Sequence, residues 1–586
     1  MTSAITHKKT IVIVATEKQL LTYLDRGDEL EDVKILCLEI HPERIVRDKY
    51  PQNYISKHDL CSKEYRHYIT EITKMIGDRM LASQLDFVSS HAYNIEIFCQ
   101  SITAITEICL HIRDEYDLVV SFKEDVVPLT QLTSNKPVLR EFELTAFNEC
   151  LFNLGFEIDF CEIQATHNKV LIKNNFIQRF IQEFPVQTWF KLLKGFFYAQ
   201  FFSSNQSSKE VWWIGSATHM KDARDNISKL HPNKEIRMVI TSLGPYGVKL
   251  VTEEKILIHS AFLNKKSIKE VLINKNKLLK EVNQLLNEKT VNYFMRIIDL
   301  QVDYWLAYYL NHERPFVINP IVNMIAKFRP QKVFFGNSLN PGIREIQKEC
   351  KGLAVETSCF QEGGDLKFYK HYIKEGFDEM VVCGTYLIRK LKDVSYEGKI
   401  TIQSKEFTSN NEANHLIEDE LKANGPIVIL FSVMLENIYP ISRIGPREYL
   451  EYLEWVSEWA KQKGITIYVK LHPRFDMKNI YLDEKYKNVF RVLPLDTSIE
   501  FILEHTKFAI FPPLRSTSVL MTLRHRIPAV VLYEYEEHED LLTKQMAWAR
   551  TREQFLEIAD LLNENQDYRV NTITKQDAFV QDYFSK

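Results

Sequence analysis

The chain has 586 residues, of which 45% are hydrophobic and 26% charged, so it is long enough for roughly two to four globular domains. Its 74 basic and 78 acidic residues leave a formal net charge of −4, which argues against a general polyanion-binding protein. The nine cysteines form no C-x-x-C pair, and no run of about 18 apolar residues occurs. These patterns predict a cytoplasmic protein with reduced thiols and no membrane span.

Short runs rich in β-branched residues alternate with helix-length segments along the chain. This rhythm is typical of α/β folds with mostly parallel sheets. The predicted strands lie at 10–16, 33–40, 116–122, 210–215 and 236–242, then at 332–338, 352–358 and 378–384, and finally at 426–432, 465–471, 488–494, 508–513 and 529–534. A largely helical stretch from about 266 to 328 separates the first group from the second.

A polar stretch at 404–425 interrupts this rhythm and indicates a domain boundary. We predict an N-terminal α/β module at 1–160, a Rossmann-like lobe with a helical insertion at 161–400, a linker at 401–425 and a second Rossmann-like lobe at 426–586.

The strand-like run 465–471 ends in His472-Pro473. In open α/β sheets ligands bind at the carboxyl ends of strands, so this histidine should face a crevice, where its imidazole could donate a hydrogen bond to a phosphate. A strand-ending turn with a solvated histidine explains the pair as well. His-Pro occurs twice more, but His41-Pro42 lacks a hydroxyl cluster one βαβ unit later, and His231-Pro232 follows a helix-like run instead of a strand.

Three hydroxyl side chains, Ser516, Thr517 and Ser518, follow the apolar run 508–513 where a helix is predicted to begin. Helix N-termini present free N–H groups and a positive dipole end, which suits them to phosphate. An ordinary N-cap is the simpler explanation of such residues. Arg474 and Arg515 could add charge to the same crevice or remain solvated. A histidine and a hydroxyl cluster converging on one crevice indicate an enzyme that uses a nucleotide-activated donor.

The order of the segments KLHPR, VLPLDTSIEFILEHTKFAIFPP and STSVLMTLRHRIPAVVLY resembles the donor-binding half of GT-B glycosyltransferases. The likeness is to bacterial capsule-polysaccharide and sialyltransferase-like enzymes with an HP motif and a Ser/Thr motif, and it covers roughly 426–540. It implies an α/β GT-B fold with two Rossmann-like lobes facing a cleft, plus an extra N-terminal module or insertions. In such a fold, 161–400 would be the acceptor-side lobe and 426–586 the lobe that binds the nucleotide sugar.

The resemblance also implies roles for individual residues. His472, together with Pro473 and Arg474, and the hydroxyls of Ser516, Thr517 and Ser518 would hold the phosphate of the donor, with a CMP-linked acidic sugar favoured.

Those families carry an acidic motif that ends in glycine, and its second acidic residue is the usual general base. In this chain Gln361-Glu362-Gly363 fits the last two positions and departs from the first. A carboxylate on a glycine-permitted turn at a strand exit can face a cleft and deprotonate an acceptor hydroxyl. Glu362 is therefore the predicted base and Asp365 the alternative, while a surface turn explains the segment structurally.

The resemblance implies an inverting, metal-independent glycosyltransferase that uses a nucleotide sugar and a glycan or glycolipid acceptor, without a further cofactor and without nucleic acid. The sequence contains no GxGxxG, P-loop, HExxH or zinc-site spacing. Two alternatives stay open. One is a CDP-polyol phosphotransferase of the teichoic-acid type, with His371 near Glu362. The other is a non-catalytic or epimerase-like GT-B protein, with Glu534 and Glu536 as the candidate carboxylates.

Two further segments each have two interpretations. The aromatic and basic run 189–202 fits a buried helix or a peripheral contact with a membrane at its inner face. The turn 335–342, after a predicted strand, fits an ordinary βα turn or the acceptor side of the cleft. The sequence does not predict an oligomeric state.

Overall fold

Among the residues that the structure describes there are three β-sheets, called here the N-terminal, middle and C-terminal sheets. The computed structural model describes residues 9–27, 30–57, 59–60, 92–123, 139–161, 210–215, 220–240, 248–251, 256–259, most of 276–308, 318–336, 341–360, 376–403 except 394, 421, 426–432, 446–471, 478–512 except 487 and 496, 517–532 and 546–584.

The N-terminal sheet has five parallel strands in the order β3-β2-β1-β4-β5. Its elements are β1 (Thr10–Val14), α1 (Glu17–Leu24), β2 (Val33–Cys37), α2 (Ile40–Lys49), β3 (Tyr54–Ile55), α3 (Ala92–Glu115), β4 (Leu118–Phe122), α4 (Leu139–Asn153) and β5 (Ile158–Cys161). Four of the five residues of β1 are buried, because helices cover both faces of a parallel sheet. Helix α1 begins with a capping box, in which the Thr16 hydroxyl accepts from the Gln19 amide and the Gln19 side chain accepts from the Thr16 amide.

The middle sheet has eight strands in the order β13-β12-β11-β10-β6-β7-β8-β9, all parallel except the antiparallel pairs made by β8. Its strands are β6 (Val211–Gly215), β7 (Ile236–Ile240), β8 (Val248–Val251), β9 (Ile256–His259), β10 (Lys332–Phe335), β11 (Glu356–Phe360), β12 (Glu379–Val382) and β13 (Lys399–Ile402). Its helices are α5 (Met220–Leu230), α6 (Glu288–Tyr308), α7 (Asn319–Phe328), α8 (Pro341–Gly352) and α9 (Thr385–Asp393).

The C-terminal sheet has six parallel strands in the order β16-β15-β14-β17-β18-β19. Its strands are β14 (Ile427–Phe431), β15 (Ile467–Lys470), β16 (Phe490–Val492), β17 (Thr506–Phe511), β18 (Ala529–Leu532) and β19 (Ala547–Ala549). Its helices are α10 (Pro446–Lys463), α11 (Lys478–Tyr481), α12 (Ile499–Glu504), α13 (Thr517–Arg524), α14 (Arg552–Glu564) and α15 (Gln566–Phe584), with a short 3-10 turn at Glu484–Tyr486. Counted from β14, the order is 3-2-1-4-5-6, which is that of a Rossmann fold.

The α/β fold class with Rossmann-like lobes and an additional N-terminal module, predicted from the sequence, is therefore confirmed. One predicted strand is displaced. The run 352–358 was expected to be extended, but α8 continues to Gly352, and Ala354 then takes a positive φ of 55° that ends the helical segment. The strand β11 consequently runs from Glu356 to Phe360.

Helices connect the three sheets. Helix α6, which follows the antiparallel strands of the middle sheet, packs on the N-terminal sheet's helices, where Trp305 meets Phe98 edge-on at 5.4 Å between ring centroids. The last helix, α15, packs on α9 of the middle sheet, and Tyr583 stacks on Tyr386 with 5.5 Å between ring centroids. The chain therefore returns from the C-terminal sheet to the middle sheet.

Helix α2 of the N-terminal sheet lies against α10 of the C-terminal sheet. Ion pairs join Arg47 to Glu454 and Arg44 to Asp483, each at 2.8 Å between nitrogen and oxygen. Lys485 pairs with both Glu454 and Asp48. Ile40 is buried in the apolar cluster of the C-terminal sheet. The N-terminal module thus contacts both of the other sheets.

Candidate functional site

The three central strands of the C-terminal sheet end at the same level. Strand pairing places Phe431 of β14 beside Lys470 of β15, and Leu430 beside Ile510 of β17. The rings of Phe431 and Phe511 stack with 4.8 Å between centroids and an interplanar angle of 2°. The strand order reverses between β14 and β17, because the chain leaves β14 towards β15 and later returns to its other side. Such a point opens a crevice at the carboxyl edge of a sheet.

The two sequence motifs begin on opposite sides of β14. His472 follows β15 by two residues, and the hydroxyl cluster follows β17 within seven residues. Neighbouring strands lie about 4.8 Å apart, so the carboxyl ends of β15 and β17 are separated by about 10 Å. This distance is within the reach of one phosphate-bearing ligand. Strand topology therefore brings the ends of the strands that precede both segments to one edge of one sheet.

The structure describes part of the predicted donor site. Thr517 is the first residue of α13, and the Ser518 side chain beside it is buried. The Ser518 carbonyl accepts a hydrogen bond of 2.8 Å from the Thr522 hydroxyl. His472, Pro473, Arg474 and Ser516 lie outside the described residues. The predicted helix start within the hydroxyl cluster agrees with the observed first residue of α13.

Hydrogen bonds fix the carboxyl end of β15 at this edge of the sheet. The Lys470 ammonium, at the last residue of β15, donates to the Leu495 carbonyl at 2.6 Å and so connects the exits of β15 and β16. Ser432, directly after β14, donates its amide to the Lys470 carbonyl at 3.0 Å. Both side chains are buried. The segment that leads into His472 is thus held from both neighbouring strands.

Two tyrosines extend this support. The Tyr481 hydroxyl hydrogen-bonds the Tyr449 hydroxyl and that of Ser432, joining α11 and α10 to the exit of β14. Burial raises the pKa of Tyr481, so the hydroxyl stays protonated. Sequence reasoning missed Lys470, Ser432 and both tyrosines, because nothing in their local pattern distinguishes a buried polar partner from a surface residue.

The predicted base follows β11 of the middle sheet in the sequence. Strand β11 ends at the buried Phe360, and Glu362 follows two residues later, outside the described residues together with Asp365 and His371. Glu534 and Glu536, the carboxylates considered for the epimerase-like alternative, also lie outside them.

The run 189–202, considered for membrane contact, lies outside the described part of the chain. Among the helices that the structure describes, none has the length and apolar character needed to cross a bilayer.

No protein-family model and no curated protein matches this chain in sequence. Solved structures do match it in shape. A putative UDP-N-acetylglucosamine 2-epimerase from Listeria monocytogenes is 11% identical, with a TM-score of 0.39, over 63% of this chain and 91% of its own. The spinosyn forosaminyltransferase SpnP is 10% identical, with a TM-score of 0.38, over 64% and 96%. MurG from Acinetobacter baumannii is 10% identical, with a TM-score of 0.33, over 64% and 98%. Similarity this low carries no argument about what the chain binds or does.

Proposed function

We propose that this chain is an inverting, metal-independent glycosyltransferase that moves a sugar from a nucleotide donor to a glycan or glycolipid acceptor. A CMP-linked acidic sugar is the favoured donor. The observation that supports the proposal most is the common level at which β15, β14 and β17 end around the strand-order reversal. In this proposal the His-Pro segment that follows β15 and the hydroxyl helix α13 that follows β17 bind one donor phosphate from either side of β14.

Each residue has a defined chemical task in this proposal. The acceptor hydroxyl oxygen attacks the anomeric carbon of the donor while the bond from that carbon to the nucleotide phosphate breaks. Glu362 takes the proton of the attacking hydroxyl. His472 donates a hydrogen bond to the departing phosphate, and the hydroxyls of 516–518 with the N-terminal amides of α13 offset its negative charge. The roles of Glu362 and His472 rest on the resemblance of their motifs.

Nucleotide binding to the full chain tests the donor site. We expect CMP to raise the thermal midpoint, since a ligand at a hundredfold excess over its Kd stabilises the folded state by about 2.7 kcal/mol. The increase should disappear in His472→Ala. CMP, CDP, UDP and GDP are compared by thermal shift at one concentration.

A second Lys-Leu-His-Pro sequence provides the matched control, because His231 lies between α5 and β7 in the middle sheet. His231→Ala should keep the CMP response of the wild type. Stabilisation by CDP would favour transfer of a polyol phosphate, and stabilisation by UDP or GDP a different nucleotide sugar. If none of the four nucleotides shifts the midpoint, the donor site is wrongly assigned.

A further inference from the structure

The middle sheet has its own strand-order reversal, between β6 and β10. The chain leaves β6 for β7 on one side, and β10 later pairs with the other side of β6. The carboxyl ends of these two strands carry Gly215 and Gly336. The two glycines lie opposite each other, because the pairing of Phe335 with Ile214 continues by one residue and the Gly336 amide donates to the Ile214 carbonyl at 3.0 Å.

Trp213 fills the space that side chains on these glycines would occupy. A Cβ built on Gly215 would lie 2.4 Å from Cζ2 of the Trp213 indole. A Cβ built on Gly336 would lie 3.1 Å from the same atom and 3.3 Å from the indole Nε1. Both glycines lie beyond Trp213 in the direction of the carboxyl ends of the strands. The side of the indole ring that carries Nε1 and Cζ2 therefore faces the carboxyl ends of β6 and β10. A side chain at position 215 would therefore clash with the indole, and one at position 336 would require the indole to shift by a few tenths of an ångström.

The indole Nε1 of Trp213 is a buried donor that has no acceptor among the described residues. The residue is 0% exposed, and Nε1 has no hydrogen-bond partner in the part of the chain that the structure describes. The neighbouring Trp212 is equally buried on the opposite face, and its Nε1 donates to Glu210 at 3.2 Å. Leaving a buried N–H unpaired costs free energy, so such a group calls for an acceptor.

The surroundings of Trp213 favour a hydrogen-bond acceptor that carries negative charge. Trp213 belongs to the same buried cluster as Ala223, which lies in the first turn of α5. Helices α5 and α8 follow β6 and β10, so both begin at this edge with their unpaired amides and positive dipole ends. The N–H of an indole adds a donor of the same polarity.

We infer that the carboxyl edge at β6 and β10 is an oxyanion site, in which the Trp213 indole N–H and the first turn of α5 bind a carboxylate or phosphate carried by the acceptor. The assignment to the acceptor rests on the proposed function, because the donor phosphate is already assigned to the C-terminal sheet. The acceptor is then an acidic glycan or a phosphate-bearing one, and a neutral sugar should not bind at this edge.

Nuclear magnetic resonance of the full chain, labelled with ¹⁵N at its seven tryptophan indoles, tests this site. Trp213→Phe removes one cross-peak and so assigns it, and Trp212→Phe assigns the matched control. Inorganic phosphate, glucuronate and glucose are titrated at constant ionic strength. We expect the Trp213 peak to move saturably with phosphate or glucuronate, while the Trp212 peak stays in place.

Response to phosphate alone identifies a phosphate-bearing acceptor, and response to glucuronate alone an acidic-sugar acceptor. Gly336→Ala, which keeps the tryptophan and places a methyl group against the indole edge, should weaken the response at least about tenfold. It also identifies the Trp213 peak if Trp213→Phe does not fold.

The inference is wrong if the Trp213 peak ignores both anions, or if glucose moves it equally. His472→Ala should leave this titration unchanged. If nucleotides fail to bind while the Trp213 peak still responds, the donor site falls and the oxyanion site remains.

Discussion

Glu43 is a buried carboxyl group in the first turn of α2, where the N-terminal module meets the C-terminal sheet. Burial raises its pKa to about 7, and the charge of the buried Glu448 on α10 adds to the effect. A hydrogen bond of 2.7 Å from the Tyr54 hydroxyl and the charges of Lys57 and Arg47 lower the pKa, but they do not offset burial. Since the folded-state pKa lies above the unfolded value of 4.5, the folded state favours the protonated carboxyl.

We therefore expect the contribution of Glu43 to stability to be complete below about pH 4.5 and to be lost as the pH rises through 7. Glu43→Gln keeps an acceptor for Tyr54 and removes the titration. It should stabilise the protein by up to roughly 3 kcal/mol at pH 8 and by little at pH 4.5. Thermal midpoints at the two pH values measure the difference. Glu17→Gln, at an exposed carboxyl in the first turn of α1, is the control. An equal effect of Glu43→Gln at both pH values would contradict the raised pKa of Glu43.

Four parallel strands of the middle sheet are tied together near their amino ends by Glu379, the first residue of β12. Its carboxylate accepts from Lys332 of β10, Ser358 of β11 and Thr401 of β13. Burial alone would raise the pKa of Glu379, but these hydrogen bonds and the Lys332 charge lower it to about 2. Its contribution to stability is therefore present above pH 4.5 and lost as the pH falls towards 2.

Glu379→Ala should destabilise the middle sheet by about 3–5 kcal/mol at pH 7, because it leaves the Lys332 ammonium buried with weaker compensation. Glu356→Ala removes the other carboxylate that pairs with Lys332, at 2.6 Å, but Glu356 is 47% exposed. Its cost should stay within about 1 kcal/mol. The free energies of unfolding of the two variants are measured by urea unfolding, and hydrogen exchange reports the local loss in β10–β13. Equal losses of stability in the two variants would refute this account of the network.

Elements that bury a continuous apolar run could be predicted from the sequence. Strands such as β6 and β14, buried at every position, were found within a residue or two. The strands that were missed are short, partly exposed or antiparallel: β3, β5, β8, β9, β13 and β19. Such strands carry a weak sequence pattern and gain their stability from neighbours.

The sequence was enough to predict that the candidate site lies at an edge of a sheet. It was not enough to predict which side chains contact each other there. The position of the hydroxyl cluster at the start of α13 followed from a local rule for helix N-termini. The hydrogen bonds of Lys470 and Tyr481, which stabilise the exits of β14 and β15, depend on which strands and helices are neighbours in space. Trp213 could not be recognised either, since its environment is set by a glycine more than a hundred residues away.

At the scale of the whole molecule, the contact between α2 and the C-terminal sheet can be tested by exchanging charges. Arg44 and Asp483 pair at 2.8 Å and are 20% and 28% exposed. Arg44→Glu should place two acidic groups together and increase hydrogen exchange in α2 and in 478–486. The double variant Arg44→Glu with Asp483→Arg should restore protection.

The control for this exchange is Arg113→Glu, since Arg113 lies on α3 and forms its ion pair with the adjacent Asp114 among the residues that the structure describes. Unchanged protection in Arg44→Glu would mean that the N-terminal module does not hold this contact in solution.

The contact made by α2 also constrains the order in which parts of the chain can fold during synthesis. The bond between Arg47 and Glu454 joins residues 407 positions apart, so α2 emerges from the ribosome long before its partner exists. At a synthesis rate of about 5–20 residues per second, this interval lasts roughly 20–80 seconds. During it the face of α2 that carries Ile40 has no native cover. Nascent chains that stop before α10 should therefore depend on chaperones more than the full-length protein does.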